Sequence, residues 1–136
     1  MFSKQHYSGI FMSTPEKLLE HRILDWLNSL KKCFAFKVNN MGVFDNKKKV
    51  WRKNNSKHIH KGTPDIIGEI NGKFFTIEVK AGYNKPSPHQ IKFLERIKET
   101  GGVSFWTNDF EKCKTTFLNY FPEAKLKVEP LFDEIL

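Results

Sequence analysis

Apolar residues return every three or four positions between Leu18 and Leu30: Leu18, Leu19, Ile23, Trp26, Leu27 and Leu30. That spacing lays one stripe along a helix. Thr14-Pro15-Glu16 marks its start, because a hydroxyl caps the turn, proline fits the first helical position and a carboxylate suits the positive end of the dipole. The pattern predicts a helix to about Lys32. Phe34 to Asn39 alternates instead, as a strand does. Two longer runs, Asp65–Ile70 and Lys73–Lys80, flank Asn71-Gly72, the pair preferred in a two-residue type I′ turn, and predict an antiparallel hairpin. Ile91, Leu94 and Ile97 resume the helical period between a Ser-Pro turn and Gly101-Gly102, where glycine ends a helix. Val103–Trp106 predicts a short strand. Asn108 with Glu111 three residues on predicts a capped last helix carrying Phe110, Cys113, Phe117 and Leu118 on one face.

Residues 46–61 follow neither period. They hold seven basic residues (Lys47, Lys48, Lys49, Arg52, Lys53, Lys57 and Lys61) and no acid, with only Val50, Trp51 and Ile59 apolar. This stretch is expected to be a basic loop. The order is then helix, strand, basic loop, hairpin, helix, strand, helix. Helices covering a mixed central sheet give an α/β sandwich.

Composition narrows the class. With 136 residues, 39% of them hydrophobic, and thirteen Phe and three Trp, the chain is expected to form a single domain spanning 1–136, its core about 14–121. Lys and Arg total 23 against 15 acids, a net charge of +8, which favours a polyanion partner, nucleic acid first. No apolar run approaches the roughly 18–20 residues of a membrane span, and Met1–Ile10 lacks the pattern of a signal peptide. Cys33 and Cys113 form no CxxC and are expected to be core thiols. An intracellular, reducing compartment is the simple expectation.

The chemistry concentrates in Gly62-Thr63-Pro64-Asp65 and Ile77-Glu78-Val79-Lys80. Pairing about Asn71-Gly72 brings Asp65 beside Glu78, and Lys80, two residues on from Glu78, shares its sheet face. Two carboxylates and an ammonium at a sheet end suit metal-dependent phosphodiester hydrolysis. Asp65 and Glu78 would hold Mg²⁺, which prefers oxygen ligands, with the Val79 carbonyl as a backbone ligand. Lys80 would hold the attacking water or stabilise growing negative charge.

Pro64-Asp65 followed by Glu78-Val79-Lys80 resembles the motif of the PD-(D/E)xK nucleases. Gly62-Thr63-Pro64-Asp65-Ile66-Ile67-Gly68, Ile77-Glu78-Val79-Lys80, Ser87-Pro88-His89-Gln90 and Gly101-Gly102, in that order, resemble the VRR-NUC branch, the virus-type replication–repair nuclease domain of phages and larger repair enzymes. Glu16 is similar to that family's N-terminal acid, and Asn39-Asn40-Met41-Gly42 to its Asn-rich turn. The resemblance runs from about Glu16 to Asp109. It implies a restriction-endonuclease-like αβββαβ core, and endonuclease cleavage of DNA with Mg²⁺ or Mn²⁺. It adds Glu16 and Gln90 to the site. Small standalone members include homodimers acting on branched DNA. Two departures stand out: the basic insertion at 46–61 is long, and His89 replaces a frequent acid.

Several alternatives remain open at this point. Glu20, one turn beyond Glu16, is a rival helical acid. Gln90 would serve equally as a plain cap. Lys47, Lys48, Lys49, Arg52, Lys53, Lys57 and Lys61 with Trp51 form a candidate nucleic-acid surface, since an aromatic among cations offers a stacking platform. His58 and His60 are read as surface residues and Phe105-Trp106 as core. A catalytically silent binding module and an RNA-directed nuclease compete with the DNA endonuclease. Phe2, Phe11, Phe44 and Phe132 are candidates for a subunit contact.

Overall fold

The computed structural model describes residues 13–38, 43–52, 57–58 and 60–127. The first helix, α1 (Pro15–Asn28), starts as the sequence predicts: the Thr14 side chain accepts the Lys17 N–H, and Pro15 takes the first turn. It ends at Asn28, four residues before the expected Lys32. Asn28 instead clamps the following strand, accepting the Ala35 N–H and donating to the Ala35 carbonyl, both at 2.9 Å. Leu18, expected on the apolar stripe, is exposed, and Glu20 is buried with Ile23 and Leu27.

Strand β1 (Cys33–Lys37) pairs antiparallel with β4 (Ile66–Ile70), and β4 pairs antiparallel with β5 (Lys73–Val79). Asn71 and Gly72 both have positive φ, 51° and 81°, as the type I′ turn requires. Helix α2 (Pro88–Glu99) then crosses over to β6 (Val103–Thr107), which lies parallel to β5. The sheet order is β1-β4-β5-β6, mixed as expected. A terminal α3 (Phe110–Tyr120) follows. Helices α1 and α3 share one sheet face, while α2 packs on β5 and β6. The α1, β1, β4, β5, α2, β6 series is the αβββαβ core.

Three residues carry the core between the sheet and α3. Phe75 and Phe117 meet edge-on at 5.1 Å, and Phe117 lies 4.8 Å from Phe121. All three are fully buried, each burial stabilising the fold by about 1.5–3 kcal/mol. Leu118, expected among them, is 37% exposed, and Phe121 takes that role. The α3 cap is Asp109, not Asn108. The Asp109 carboxylate accepts the Lys112 N–H at 2.9 Å, while Asn108 donates to the Gly82 carbonyl and pins the turn after Lys80. Cys33 and Cys113 are free thiols in the core, and burial pushes them up to about 11 and about 12.

The basic segment is not loop throughout. Strands β2 (Val43–Asp45) and β3 (Val50–Arg52) form a small antiparallel hairpin that overlaps its first half. Asp45 organises the turn: its carboxylate accepts the Lys47 and Lys48 N–H groups, and its carbonyl accepts that of Lys49, whose φ is 55°. The Asn39–Gly42 turn, Lys53, Ile59 and the termini with Phe2, Phe11 and Phe132 lie outside the described residues, as do the side chains of Phe44 and Arg52. Among the described residues no helix is long and apolar enough to cross a membrane.

Candidate active site

The β4–β5 register pairs Ile66 with Ile77, which sets Asp65 opposite Glu78 at the sheet end. Asp65 is fixed there by its own partner strand, for its Oδ2 accepts the Val79 N–H at 2.8 Å. The preceding segment is held against the next helix. Gly62 has φ +79°, and a Cβ built on it would stand 2.5 Å from the His89 carbonyl carbon and oxygen and 2.6 Å from the Gln90 nitrogen. Only glycine fits so close to the first turn of α2. The Gly-Thr-Pro-Asp stretch that leads into β4 is therefore held against the helix that carries Gln90.

Glu78 is 1% exposed on β5. Its Oε1 accepts from Gln90 Nε2 at 2.8 Å and lies 3.4 Å from the Lys80 ammonium. Its Oε2 is buried and has no hydrogen-bond partner among the described residues. Burial, then the negative charge of Asp65, pushes the Glu78 carboxyl up to about 8, against the opposing pull of Lys80. Gln90 also does what a cap does: its Oε1 accepts the Ser87 N–H and the Ser87 hydroxyl accepts the Gln90 N–H, a complete capping box. Gln90 thus caps α2 and contacts Glu78 with the same side chain.

One carboxylate oxygen from each of Glu16, Asp65 and Glu78 lies within 4.8 Å of the other two. Glu16 reaches them from the first turn of α1. Its rival Glu20 lies one turn further on, buried, with Oε2 3.0 Å from the Lys37 ammonium. Burial raises the Glu20 carboxyl, Lys37 opposes, and the charge of Asp65 adds to the rise. The two helical acids thus divide: Glu16 joins the three-carboxylate group, and Glu20 sits against Asp65 with a cation of its own. Lys37 went unnoticed in the sequence. Its place two residues after Ala35 on an alternating strand, facing the α1 side, was the available signal.

Three carboxylates this close repel one another, and a buried carboxylate oxygen without a donor is costly. A divalent cation satisfies both, so the residues present fit a hard, oxygen-ligated metal. Asp65, Glu78 and Glu16 are the side chains that would hold it. Val79, at the end of β5, adjoins them through the N–H it gives Asp65. Lys80 follows, its backbone N–H bonded to the Thr107 carbonyl at 2.9 Å and its ammonium turned to Glu78.

No family model matches the sequence, and no curated protein does. Solved structures do. One, a VRR_NUC domain, has a TM-score of 0.59 at 21% identity, covering 79% of this chain and 99% of its own. Another, a VRR_NUC domain protein, has a TM-score of 0.54 at 15% identity, covering 79% of this chain and 88% of its own.

The chain has the VRR_NUC fold.

On the VRR_NUC fold of this chain the basic segment leads straight into the site, through Lys61 to Gly62 and on to Asp65. Lys47, Lys48 and Lys49 are exposed on the β2–β3 turn, Trp51 is 60% exposed on β3, and Lys57 and Lys61 are exposed beyond it. His60 lies beside Phe93 of α2, ring centroids 6.4 Å apart, so it is seated against that helix. Phe105 is buried as expected, whereas Trp106 is at the surface.

Proposed function

We propose that this protein is a metal-dependent endonuclease that hydrolyses phosphodiester bonds in DNA. The observation that carries the proposal is the Glu16–Asp65–Glu78 carboxylate group with a buried, unpartnered Glu78 oxygen and Lys80 alongside. Asp65 and Glu78, with Glu16 and the Val79 carbonyl as further ligands, would hold Mg²⁺ or Mn²⁺. When bound, such an ion supplies the positive charge that acidifies water and neutralises charge developing on the phosphate. The protein's own contribution is positional. The Val79 N–H fixes Asp65, Gln90 fixes Glu78, and Lys80 donates to the attacking water or to a phosphate oxygen. The basic β2–β3 turn and Trp51 draw in the DNA backbone.

The substrate is branched DNA and the active form a homodimer. The resemblance to standalone VRR-NUC nucleases supports this, as does the economy of a two-fold pair that offers one site to each of two opposite strands of a four-way junction. An Asp65→Asn variant is the decisive test, because Asn retains an oxygen for the Val79 N–H while losing the ligand charge. Cleavage of junctions, flaps and duplexes should require Mg²⁺ or Mn²⁺ and vanish in this variant, with DNA binding kept. Full cutting by Asp65→Asn, or cutting in chelator, refutes the metal-dependent reading of this site. Sedimentation with and without a four-way junction tests the dimer, and a strict monomer in both refutes it.

A further inference from the structure

Cross-strand register sorts one sheet face into rows. Asp65 and Glu78 form the first. Phe36, Ile67 and Thr76 form the next, and Phe34, Glu69 and Phe74 the one after. Successive rows stand two residues, about 7 Å, apart along the strands. Helix α2 covers the β5–β6 half of this face, where Thr76 and Ser104 are fully buried. The β1 half lies open: Phe34 is 68% exposed and Phe36 47%, their rings 5.6 Å apart. Edge strands are ordinarily guarded by charge, and large apolar groups exposed together mark a binding surface. The core does not need these rings, because Cys33 and Ala35 fill it from the opposite side of the same strand.

Charge accompanies the rings. Phe34 shares a cavity of about 380 Å³ with Lys32, Lys127, Cys33 and Glu69, two ammonium groups to one carboxylate. Glu69, paired with Phe34 across the strands, disfavours phosphate over the middle of the sheet and leaves the lysine side for it.

We infer that Phe34 and Phe36 form a stacking platform for the unpaired bases of single-stranded DNA whose backbone passes Lys32 and Lys127. The platform begins one row from the Asp65–Glu78 pair on the same face, so a strand frayed at a branch reaches it directly from the site. Phenyl rings stack on any base and offer it no hydrogen bonds, which makes the platform tolerant of sequence. A duplex hides its base faces and gains nothing there. The direction of the strand rests on the nuclease reading. Base binding itself does not.

The test uses the full chain in chelator, with a labelled oligothymidylate and a duplex of equal length. Phe34→Ala/Phe36→Ala and Phe34→Leu/Phe36→Leu should each lose roughly tenfold or more in single-strand affinity per ring, with duplex affinity held within about twofold. Phe34→Trp/Phe36→Trp should retain or tighten single-strand binding. Thermal melts establish that each variant is folded, and 5-iodouracil in the oligonucleotide should cross-link to the two rings. Unchanged affinity in the alanine variant overturns the inference. So does full affinity in the leucine variant, which keeps apolar area without the ring. Self-association that persists with leucine and disperses with alanine also overturns it, because a second copy would then cover the patch. A chain that never cuts but loses oligothymidylate with the rings refutes the nuclease reading and leaves the platform standing. One that cuts through Asp65 while the ring variants bind normally does the reverse.

Discussion

Gln90 Nε2 lies 2.8 Å from Glu78 Oε1 while the other end of the same amide accepts the Ser87 N–H at 2.7 Å. A backbone N–H must face the amide oxygen, so the nitrogen faces the carboxylate. One side chain therefore caps α2 and holds Glu78. Gln90→Glu separates the two tasks, because Glu also completes a capping box but sets a second carboxylate against Glu78. We predict a melting temperature close to wild type with turnover lowered at least about tenfold, the scale of about 1.4 kcal/mol in the barrier. Gln90→Ala should lose the contact with Glu78 and one half of the capping box, while the Ser87 hydroxyl still accepts the backbone N–H at that position, so its melting temperature should fall modestly and its turnover as in Gln90→Glu. Full turnover in Gln90→Glu would leave Gln90 a cap alone.

Lys80 is the next residue whose role kinetics can resolve. Its ammonium stands 3.4 Å from Glu78 Oε1, close enough to serve water or phosphate at the proposed site. Lys80→Ala should reduce kcat far more than it raises KM, the mark of an interaction made in the transition state. Lys80→Arg should rescue poorly, since the guanidinium is larger, delocalised and permanently charged. A raised KM with unchanged kcat would make Lys80 a binding residue only.

What the sequence disclosed and what it hid have physical causes. The β4–β5 hairpin was legible because Asn71-Gly72 fixes the turn, and the turn fixes the register that sets Asp65 opposite Glu78. The β2–β3 hairpin was not, because Lys47, Lys48 and Lys49 dominate a stretch whose fold rests on one Asx turn at Asp45. Glu16 and Glu20 were indistinguishable because residues four apart share a helix face. Only tertiary packing assigns Glu20 to Lys37 and Glu16 to the acidic group. The α3 cap moved from Asn108 to Asp109 because β6 extends through Thr107, and two adjacent capping residues cannot be ranked without that boundary.

The buried carboxylate gives the metal-free protein a characteristic pH dependence. Burial and Asp65 raise Glu78 to about 8, far above the ordinary carboxylate range it returns to on unfolding. Between those two values the folded chain holds a proton that the unfolded chain has released. Its stabilising contribution is complete below the unfolded pKa and disappears as pH rises through about 8. Glu20 is shifted in the same direction. Calorimetry in chelator should therefore show the melting temperature falling from about pH 5 to about pH 8.5, with a flatter profile in Glu78→Gln. Mg²⁺ or Mn²⁺, which needs the ionised carboxylates, should raise the melting temperature more at the upper end. A melting temperature that climbs across this window would refute the assignment.

The β2–β3 turn presents Lys47, Lys48 and Lys49 together, exposed and next to Trp51. If they neutralise phosphates, replacing all three with Ser should weaken binding to every duplex alike. The plot of log affinity against log salt should also flatten by about 0.9 for each phosphate no longer neutralised. Titrations at several salt concentrations in chelator measure this directly, and an unchanged slope would show a solvated turn that does not touch DNA.

Gly62 and Gly72 have nearly the same φ, +79° and +81°, but opposite surroundings. Among the described residues a Cβ at Gly72 meets nothing within 4 Å, whereas at Gly62 it meets backbone atoms of His89 and Gln90 at 2.5–2.6 Å. Left-handed strain is thus common to both sites, roughly 1–2 kcal/mol for an L-residue. Only Gly62→Ala adds a clash, and main-chain atoms in the first turn of α2 cannot rotate away from it. Overpacking of this kind costs about 1–3 kcal/mol more, so Gly62→Ala should unfold at clearly lower denaturant than Gly72→Ala. The difference should reach catalysis too. Pushing the Gly62–Asp65 segment off α2 separates the element that carries Asp65 from the one that carries Gln90, so turnover should fall in Gly62→Ala and stay near wild type in Gly72→Ala at temperatures where both are folded. Equal stability and equal turnover in the two variants would show that the close approach of Gly62 to α2 does not hold the site together.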